Sequence, residues 1–473
     1  MTQEFDVVVV GGGPGGYAAA LYAAAADLSV ALVERDRVGG TCLHRGCIPA
    51  KELLETAAVA RTVAGAGAYG IEAGSPTVDL GASMARKQQV VDGLWKGLEG
   101  LLKRRRVSIF PGTGTLAGPG RVEVCPGGDG SGEDAGEVQV LKAGNVILAA
   151  GSVPRTIPGF DIDGRIVLSS DEVLAMSELP ESAAVIGGGA IGCEFASLLA
   201  DLGVRVTVLE GLPKILPGCD GDVATVVRRS FEARGIDVRT GVEVRGHTPG
   251  SEGTVIELGG GESLEVARVV VSVGRRPRSE TLGLDGTGVE VDDRGFVKVD
   301  QTGRTTLEGV WAVGDVVATP QLAHVGFAEA IVAVRDVLGE HPLPVQYDKV
   351  PWCIYCHPEV AFAGHSEESA RQAGLDVVVS SHRYRGNGRA LILGEPEGLV
   401  KVVALRGADG RAGQIVGVHM VGPWVTEQLG QGYLAVNWEA TVDEVAALVQ
   451  PHPTLSETFG EAVMALTGRG LHG

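Results

Sequence analysis

The sequence predicts an α/β protein with two open, doubly wound parallel-sheet units followed by a C-terminal α+β domain. Three observations predict it. A strand, a glycine-rich turn and a helix open the chain, the same unit recurs from Ala183, and near Pro351 the texture changes to short strands followed by two helices. At 473 residues the chain is long enough for about three domain cores.

Phe5 to Val10 reads as a buried strand of a parallel sheet, with Val7 to Val10 a continuous apolar run. It leads into Gly11-Gly12-Gly13-Pro14-Gly15-Gly16 and an alanine-rich helix from about Tyr17 to Ala26. In such a turn Gly11 permits the sharp reversal, Gly13 lets a pyrophosphate approach the backbone, and Gly16 lets helix and strand pack closely. The phosphates then sit at the helix N-terminus. The next strand, Ser29 to Val33, ends at Glu34, whose carboxylate can accept hydrogen bonds from ribose hydroxyls. A GxGxxG alone carries little, but with both strands and the acid it predicts dinucleotide binding in a Rossmann-like domain.

The second copy runs from Ala183 to Ile186 through Gly187-Gly188-Gly189-Ala190-Ile191-Gly192, a helix from Cys193 to Leu202, and the strand Arg205 to Leu209. Gly187, Gly189 and Gly192 take the three glycine roles, and Glu210 lies as far from Gly187 as Glu34 does from Gly11. A carboxylate there binds the ribose of NAD and repels the 2′-phosphate of NADP, and only Lys214 lies nearby to offset it. NAD is therefore expected.

Between the copies, Val107 to Ile147 alternates in short strand-like runs broken by Gly112, Gly114 and Gly118, which predicts a small β-meander inserted in the first unit. The acidic stretch Gly127 to Gly136 reads as a solvated hairpin tip. Ala149-Ala150-Gly151-Ser152 and Val273-Gly274-Arg275-Arg276-Pro277 read as chain crossings between domains. Gly309 to Asp315 is another buried strand with a carboxylate at its C-terminal end, where ligands sit in open α/β sheets, although Asp315 would serve equally as a helix N-cap. The expected boundaries are 1–150, 151–276, a central segment 277–350 returning to the first unit, and 351–473.

Composition excludes several classes. Forty basic against 59 acidic residues give a net charge of −19, which disfavours nucleic acid and anionic membrane as partners. The sequence shows no signal pattern and no bilayer-length apolar stretch, so a cytoplasmic protein is expected. Disulfides in that compartment are usually catalytic or transient.

Cys42 and Cys47 stand out in Gly39-Gly40-Thr41-Cys42-Leu43-His44-Arg45-Gly46-Cys47-Ile48-Pro49-Ala50-Lys51. A bridge closing so short a loop adds only about 2 kcal/mol, so stability does not explain the pair and a redox centre is expected. Residues five apart on a regular helix point about 140° apart, whereas a bridge needs Cβ atoms about 3.8 Å apart. The helix must therefore be distorted, and Gly46 and Pro49 supply the means. A thiol near a helix N-terminus is expected to have a lowered pKa. The other five cysteines, Cys125, Cys193, Cys219, Cys353 and Cys356, read as packing residues. The CxxC of Cys353 and Cys356 falls in an expected strand, where residues three apart face opposite sides, and no metal site is expected.

Taken in order, the redox segment, both fingerprints, Gly314-Asp315 with Gln321-Leu322-Ala323-His324, and His452-Pro453-Thr454 to Glu457 make the chain resemble the flavoprotein pyridine nucleotide-disulfide oxidoreductases over essentially its whole length. It is most similar to the members that oxidise dihydrolipoamide. The resemblance implies FAD in the first unit and NAD in the second. Glu34 would bind the ribose of the FAD adenosine and Asp315 the ribityl-pyrophosphate region, with Lys51 by the flavin ring and able to pair with Glu194. Thr41, Gly114, Ala150, Gly151, Ser152 and Gln321 to His324 match further FAD positions, and Ile191, Val244 and Gly274 match NAD positions. By the same resemblance Cys47 faces the flavin and Cys42 exchanges with substrate.

A dithiol must lose protons before it attacks a disulfide, and His452 suits that base, with Glu457 holding its tautomer if the turn brings it back. The resemblance further implies a homodimer with the third domain at the interface and His452 reaching the partner subunit's disulfide. It also implies a lipoyl domain of a 2-oxo acid dehydrogenase complex or a glycine cleavage carrier as partner. Gln450 stands where a histidine is common, and Ala150 where a threonine is. The alternatives are a reductase of glutathione, another small disulfide or mercuric ion, and a flavin-binding redox sensor without turnover. A glutathione-type enzyme should carry basic residues after Glu210, and a mercury enzyme a C-terminal cysteine pair, which the tail Gly468 to Gly473 lacks.

Overall fold

The apolar run at the N-terminus becomes the strand Thr2–Val10 of a seven-stranded sheet, and Val7 to Val10 are almost fully buried because both faces of the sheet are covered. On one side it pairs in parallel with Val30–Glu34, which pairs in turn with Ser108–Pro111. On the other side it pairs in parallel with Gln139–Leu148. That strand is long enough to serve several neighbours. Its N-terminal part pairs antiparallel with Arg121–Cys125, and its C-terminal end pairs in parallel with Val310–Ala312.

Residues 2–127 and 137–472 are described by this computed structural model, so the hairpin tip expected at Gly127 to Gly136 lies almost wholly outside the described residues. The chain divides into two units. One comprises Met1–Leu53, Gly81–Arg155 and Gly274–Tyr347, and the other Leu54–Leu80, Thr156–Val273 and Asp348–Gly473. The expected meander exists as Thr113–Leu116, Arg121–Cys125 and Gln139–Leu148, but it is the edge of the first unit's main sheet and not a separate insertion. In the first unit, Pro14–Ala25 and Ala323–Val337 pack through Ala19, Ala20, Ala23, Ala330 and Ala333, whose small side chains let two helix backbones approach closely. Ser152–Pro154 and Arg275–Pro277, read as crossings, pair with each other as a two-stranded ribbon.

In the second unit Ser182–Ile186 is flanked in parallel by Arg205–Glu210 and Arg268–Val271, extended by Asp237–Thr240 and Val167–Leu168. The same unit holds a five-stranded antiparallel sheet in the order Trp352–Ile354, Glu359–Gly364, Ala412–Gly422, Leu399–Arg406, Val377–Arg383. It buries a core with the helices Val425–Asn437, Val442–Ala446 and Glu457–Leu466. Successive cross-strand partners on this sheet are Trp352, Phe362, His419 and Lys401. The first three rings stack, and the buried Lys401 ammonium is neutralised by Asp220, Asp222 and Glu367. Cys353 lies in the strand and packs against this core, while Cys356 lies beyond the strand end, buried, with its thiol on the Pro358 carbonyl. Among the described residues no helix is long and apolar enough to cross a membrane.

Candidate active site

The redox segment folds as two helices, Gly40–Arg45 and Cys47–Gly65, broken at Gly46 with φ −146° and ψ −111°. A Cβ on Gly46 would lie 3.0 Å from the Thr41 carbonyl oxygen and 3.4 Å from the Cys42 Cα, so glycine is what allows the second helix to close on Cys42. Pro49 is the third residue of the new helix, where an N–H has no intrahelical partner. Gly40, at φ +57°, lies so close to the first fingerprint that a Cβ would sit 2.6 Å from the Gly13 Cα, and the Gly39 N–H donates to the Gly12 carbonyl at 2.7 Å. The redox helix is thereby fixed against the glycine turn. His44 holds its far side, with Nε2 2.9 Å from the Val38 carbonyl oxygen and its ring edge-on to Trp95.

Cys42 and Cys47 are half-buried thiols, and Cys42 hydrogen-bonds to Cys47. The Cys42 pKa is raised, not lowered as expected from the helix terminus. The bond to Cys47 is the largest cause, followed by burial and by negative charge at Cys47, while Lys51 opposes them. The dipole argument favours one charge, and a neighbouring sulfur makes a second one costly. Tyr17, in the helix Pro14–Ala25, lies within electrostatic reach of both sulfurs; burial first, then those charges, push its hydroxyl up to about 12.

The glycines of each fingerprint divide by what the protein requires. A Cβ on Gly11 would overlap the Ala149 carbonyl, one on Gly16 the Gly11 carbonyl, and one on Gly192 the Gly187 carbonyl, while one on Gly187 would lie 2.5 Å from the Ser272 carbonyl oxygen. Gly13 and Gly189 differ. Both are N-caps in extended conformations open to any residue, with φ −70° and −74°, and a Cβ meets only the Gly40 Cα at 4.0 Å in one case and nothing within 4 Å in the other. Their smallness leaves an open cradle before a helix N-terminus, which fits a pyrophosphate at each site.

Glu34 accepts the Gly12 and Asp36 N–H groups at 2.6 and 2.8 Å, and Glu210 accepts the Gly188 and Leu212 N–H groups at 2.6 and 2.7 Å. Each carboxylate braces its turn and keeps acceptor capacity for ribose hydroxyls. Lys214 donates to Glu368 at 3.0 Å, so this cation is already engaged. Ile191 is exposed at the start of its helix, Gly274 is at φ +105°, and Val244 is half-buried in the strand Val244–Pro249. Glu194 is buried and accepts the Tyr355 N–H at 2.9 Å. Lys51 lies in the first unit and Glu194 in the second.

Asp315 sits in a 3-10 turn, Gly314–Val316, while the N-cap of Ala323–Val337 is Leu322, so the N-cap alternative for Asp315 falls. Its Oδ2 accepts the Ser152 hydroxyl at 2.5 Å, and Arg275 Nε donates to the same hydroxyl oxygen at 2.7 Å. In the sequence Arg275 marks only part of a crossing, and its one local signal is a cation ending a strand. Gly151, at φ +72°, follows Ala150 and accepts the Arg278 N–H. The side-chain nitrogen of Gln321 is buried without a hydrogen-bond partner, an orphaned donor of the kind a bound cofactor satisfies. Ala323 and His324 form the first turn beyond it, and Thr41 opens the redox helix. Gly114 packs on the central strands, where a Cβ would lie 2.9 Å from Val10 and 3.0 Å from Val33.

His452 and Glu457 are brought together. Nδ1 lies 2.8 Å from Glu457 Oε1, and the other carboxylate oxygen accepts the Thr454 N–H at 2.7 Å. Glu457 begins the helix Glu457–Leu466, so the turn does bring it back. The bond sets Nδ1 as donor and leaves Nε2 as acceptor on a ring that is 78% exposed. Buried Asn387 braces the loop by donating to the Thr454 carbonyl, a contact 67 positions apart with no local signature. Gln450 lies against Gly460 of the same helix.

The sequence model for the pyridine nucleotide-disulphide oxidoreductases matches residues 5–330, and the model for that family's dimerisation domain matches residues 350–463. This chain belongs to that family. It is 40% identical to the dihydrolipoyl dehydrogenase of Bacillus subtilis and 39% identical to that of Zymomonas mobilis, with full coverage of both chains in each case. The solved structure of LpdA from Mycobacterium tuberculosis, 26% identical, superposes with a TM-score of 0.89 over 98% of this chain and 99% of that one.

As an oxidoreductase of this family the chain presents two chemical pairs. Cys42 and Cys47, across one helix break, can interconvert between dithiol and disulfide, and His452 with Glu457 can take up a proton at Nε2 and stabilise the resulting imidazolium.

Proposed function

We propose that the protein is a dihydrolipoyl dehydrogenase that binds FAD in its first unit and NAD in its second. The His452–Glu457 bond carries this reading, because a dithiol substrate needs a base and a passive redox sensor does not. Full-length similarity to enzymes of that name supports it. Residues 1–150 with 277–350 would hold FAD, residues 151–276 NAD, and residues 351–473 would form the interface of a homodimer in which each subunit's His452 serves the other's disulfide.

His452 Nε2 takes the proton of one substrate thiol, and the thiolate attacks Cys42 Sγ in the Cys42–Cys47 disulfide. The S–S bond breaks and Cys47 leaves with the electron pair. The second substrate thiol then closes on the first sulfur and expels Cys42, which recovers a proton, in keeping with its raised pKa and its hydrogen bond to Cys47. FAD and NAD, when bound, supply the two-electron chemistry that reoxidises the dithiol. Glu210, with Lys214 engaged by Glu368, favours NAD over NADP and argues against a glutathione-type enzyme. The natural partner would be a lipoyl domain of a 2-oxo acid dehydrogenase complex or a glycine cleavage carrier, in the cytoplasm.

Anaerobic reduction of the purified protein by dihydrolipoamide, followed by NAD⁺ or NADP⁺ in parallel, tests the proposal. Reduction of the protein and then of NAD⁺ is expected; reduction by glutathione instead, or none at all, would reject it.

A further inference from the structure

The turn that carries Asp315 has a second support on its hidden side. Glu329, one of the few carboxylates inside the first unit, is 6% exposed on the helix Ala323–Val337. Its Oε2 accepts the Gly314 N–H at 2.6 Å, and its Oε1 accepts the Tyr347 hydroxyl at 2.9 Å. Gly314 is at φ +73°, and its N–H opens the 3-10 turn, where no carbonyl within the turn can accept it. The turn is therefore clamped from both sides, by Glu329 behind Gly314 and by the Ser152 hydroxyl and Arg275 on Asp315.

Burying a carboxylate is unfavourable, and a turn needing only packing would not require one; burial does raise the Glu329 pKa, with Asp315 adding to it. Gly314 and Tyr347 reach its two oxygens from separate segments, and the Thr319 side chain also faces the carboxylate, so the side chain is held at both ends.

We propose that Glu329, anchored by Tyr347, is a positioning residue that sets the Gly314–Asp315 turn in the geometry that retains the flavin. The inference rests on the reading that the first unit binds FAD. Glu329 touches the turn and not the reacting atoms, so its effect appears in cofactor retention before it appears in turnover.

The test is flavin release from the purified full-length holoenzyme, followed as recovery of flavin fluorescence after dilution, with thermal melting of the same samples. Glu329→Ala is expected to weaken flavin retention roughly ten- to a hundredfold, the scale of losing a hydrogen bond to a charged group. Glu329→Gln is expected to rescue most of it, because its carbonyl oxygen still accepts the Gly314 N–H while its amide meets the Tyr347 oxygen. Tyr347→Phe, a milder change that serves if Glu329→Ala does not fold, is expected to speed release several-fold. Retention by Glu329→Ala equal to wild type, equal damage from Ala and Gln, or an unaltered Tyr347→Phe would each overturn the proposal. Wild-type protein that holds no flavin would instead reject the functional reading beneath it.

Discussion

Gly189→Ala should leave the fold intact and weaken NAD⁺ binding, whereas Gly192→Ala, three residues on, should damage the fold itself. At Gly189 the backbone is in an extended conformation that alanine adopts freely, and no atom lies within 4 Å of the new methyl. Losing glycine at an N-cap costs about 0.5–1 kcal/mol, and restricting the unfolded chain offsets about 0.4–1 kcal/mol of that, so stability should change by no more than about 1 kcal/mol. A pyrophosphate seated on this helix N-terminus would meet the methyl and lose close charge-assisted N–H contacts, at about 1.5–3 kcal/mol or roughly ten- to a hundredfold in affinity. At Gly192 the methyl would overlap the Gly187 carbonyl, so helix and strand must separate. That cost should reach or exceed the roughly 1–3 kcal/mol typical of overpacking, even though alanine favours the helix by about 1 kcal/mol. Calorimetric titration with NAD⁺ beside thermal melts of both variants is the assay. If folded Gly189→Ala binds NAD⁺ like wild type, the open cradle is not the pyrophosphate site; if Gly192→Ala melts like wild type, the steric division of the glycines is wrong.

Three further outcomes are expected. Cys42→Ser should abolish NADH formation from dihydrolipoamide, and equal rates in the two proteins would exclude the exchange role of Cys42. His452→Gln should lower the rate roughly 10²–10⁴-fold, the span of general base catalysis, and Glu457→Gln should lower it less; a rate unchanged by His452→Gln would remove the base from the mechanism. Buried His419, stacked on Phe362, has its pKa lowered from 6.5 to about 4, chiefly by burial. Because the unfolded chain protonates it first, its contribution is complete above pH 6.5 and is lost as pH falls toward 4, by about 3 kcal/mol in all. Urea midpoints measured across that window should fall more steeply for wild type than for His419→Leu, and parallel slopes would refute the assignment.

The sequence by itself determined the two units of strand, glycine turn and helix, the close Cys42–Cys47 pair and the α+β third domain, because each rests on a local requirement written into residue identity. Gly11, Gly16, Gly187 and Gly192 must be glycine for helix and strand to touch, an apolar run such as Val7 to Val10 must be covered on both faces, and Gly46 must be glycine for the second redox helix to close. The clamp on Asp315 was not legible, since Ser152 and Asp315 are 163 positions apart and meet only because two crossings pair as a ribbon. Nor were Glu329 behind Gly314, Asn387 beneath Thr454, or the proton retained on Cys42, which a helix-terminus argument places the wrong way. Only the tertiary structure decided these, because a hydrogen bond or a pKa depends on which groups burial brings within about 3 Å, and spacing along the chain fixes that only within a turn or two.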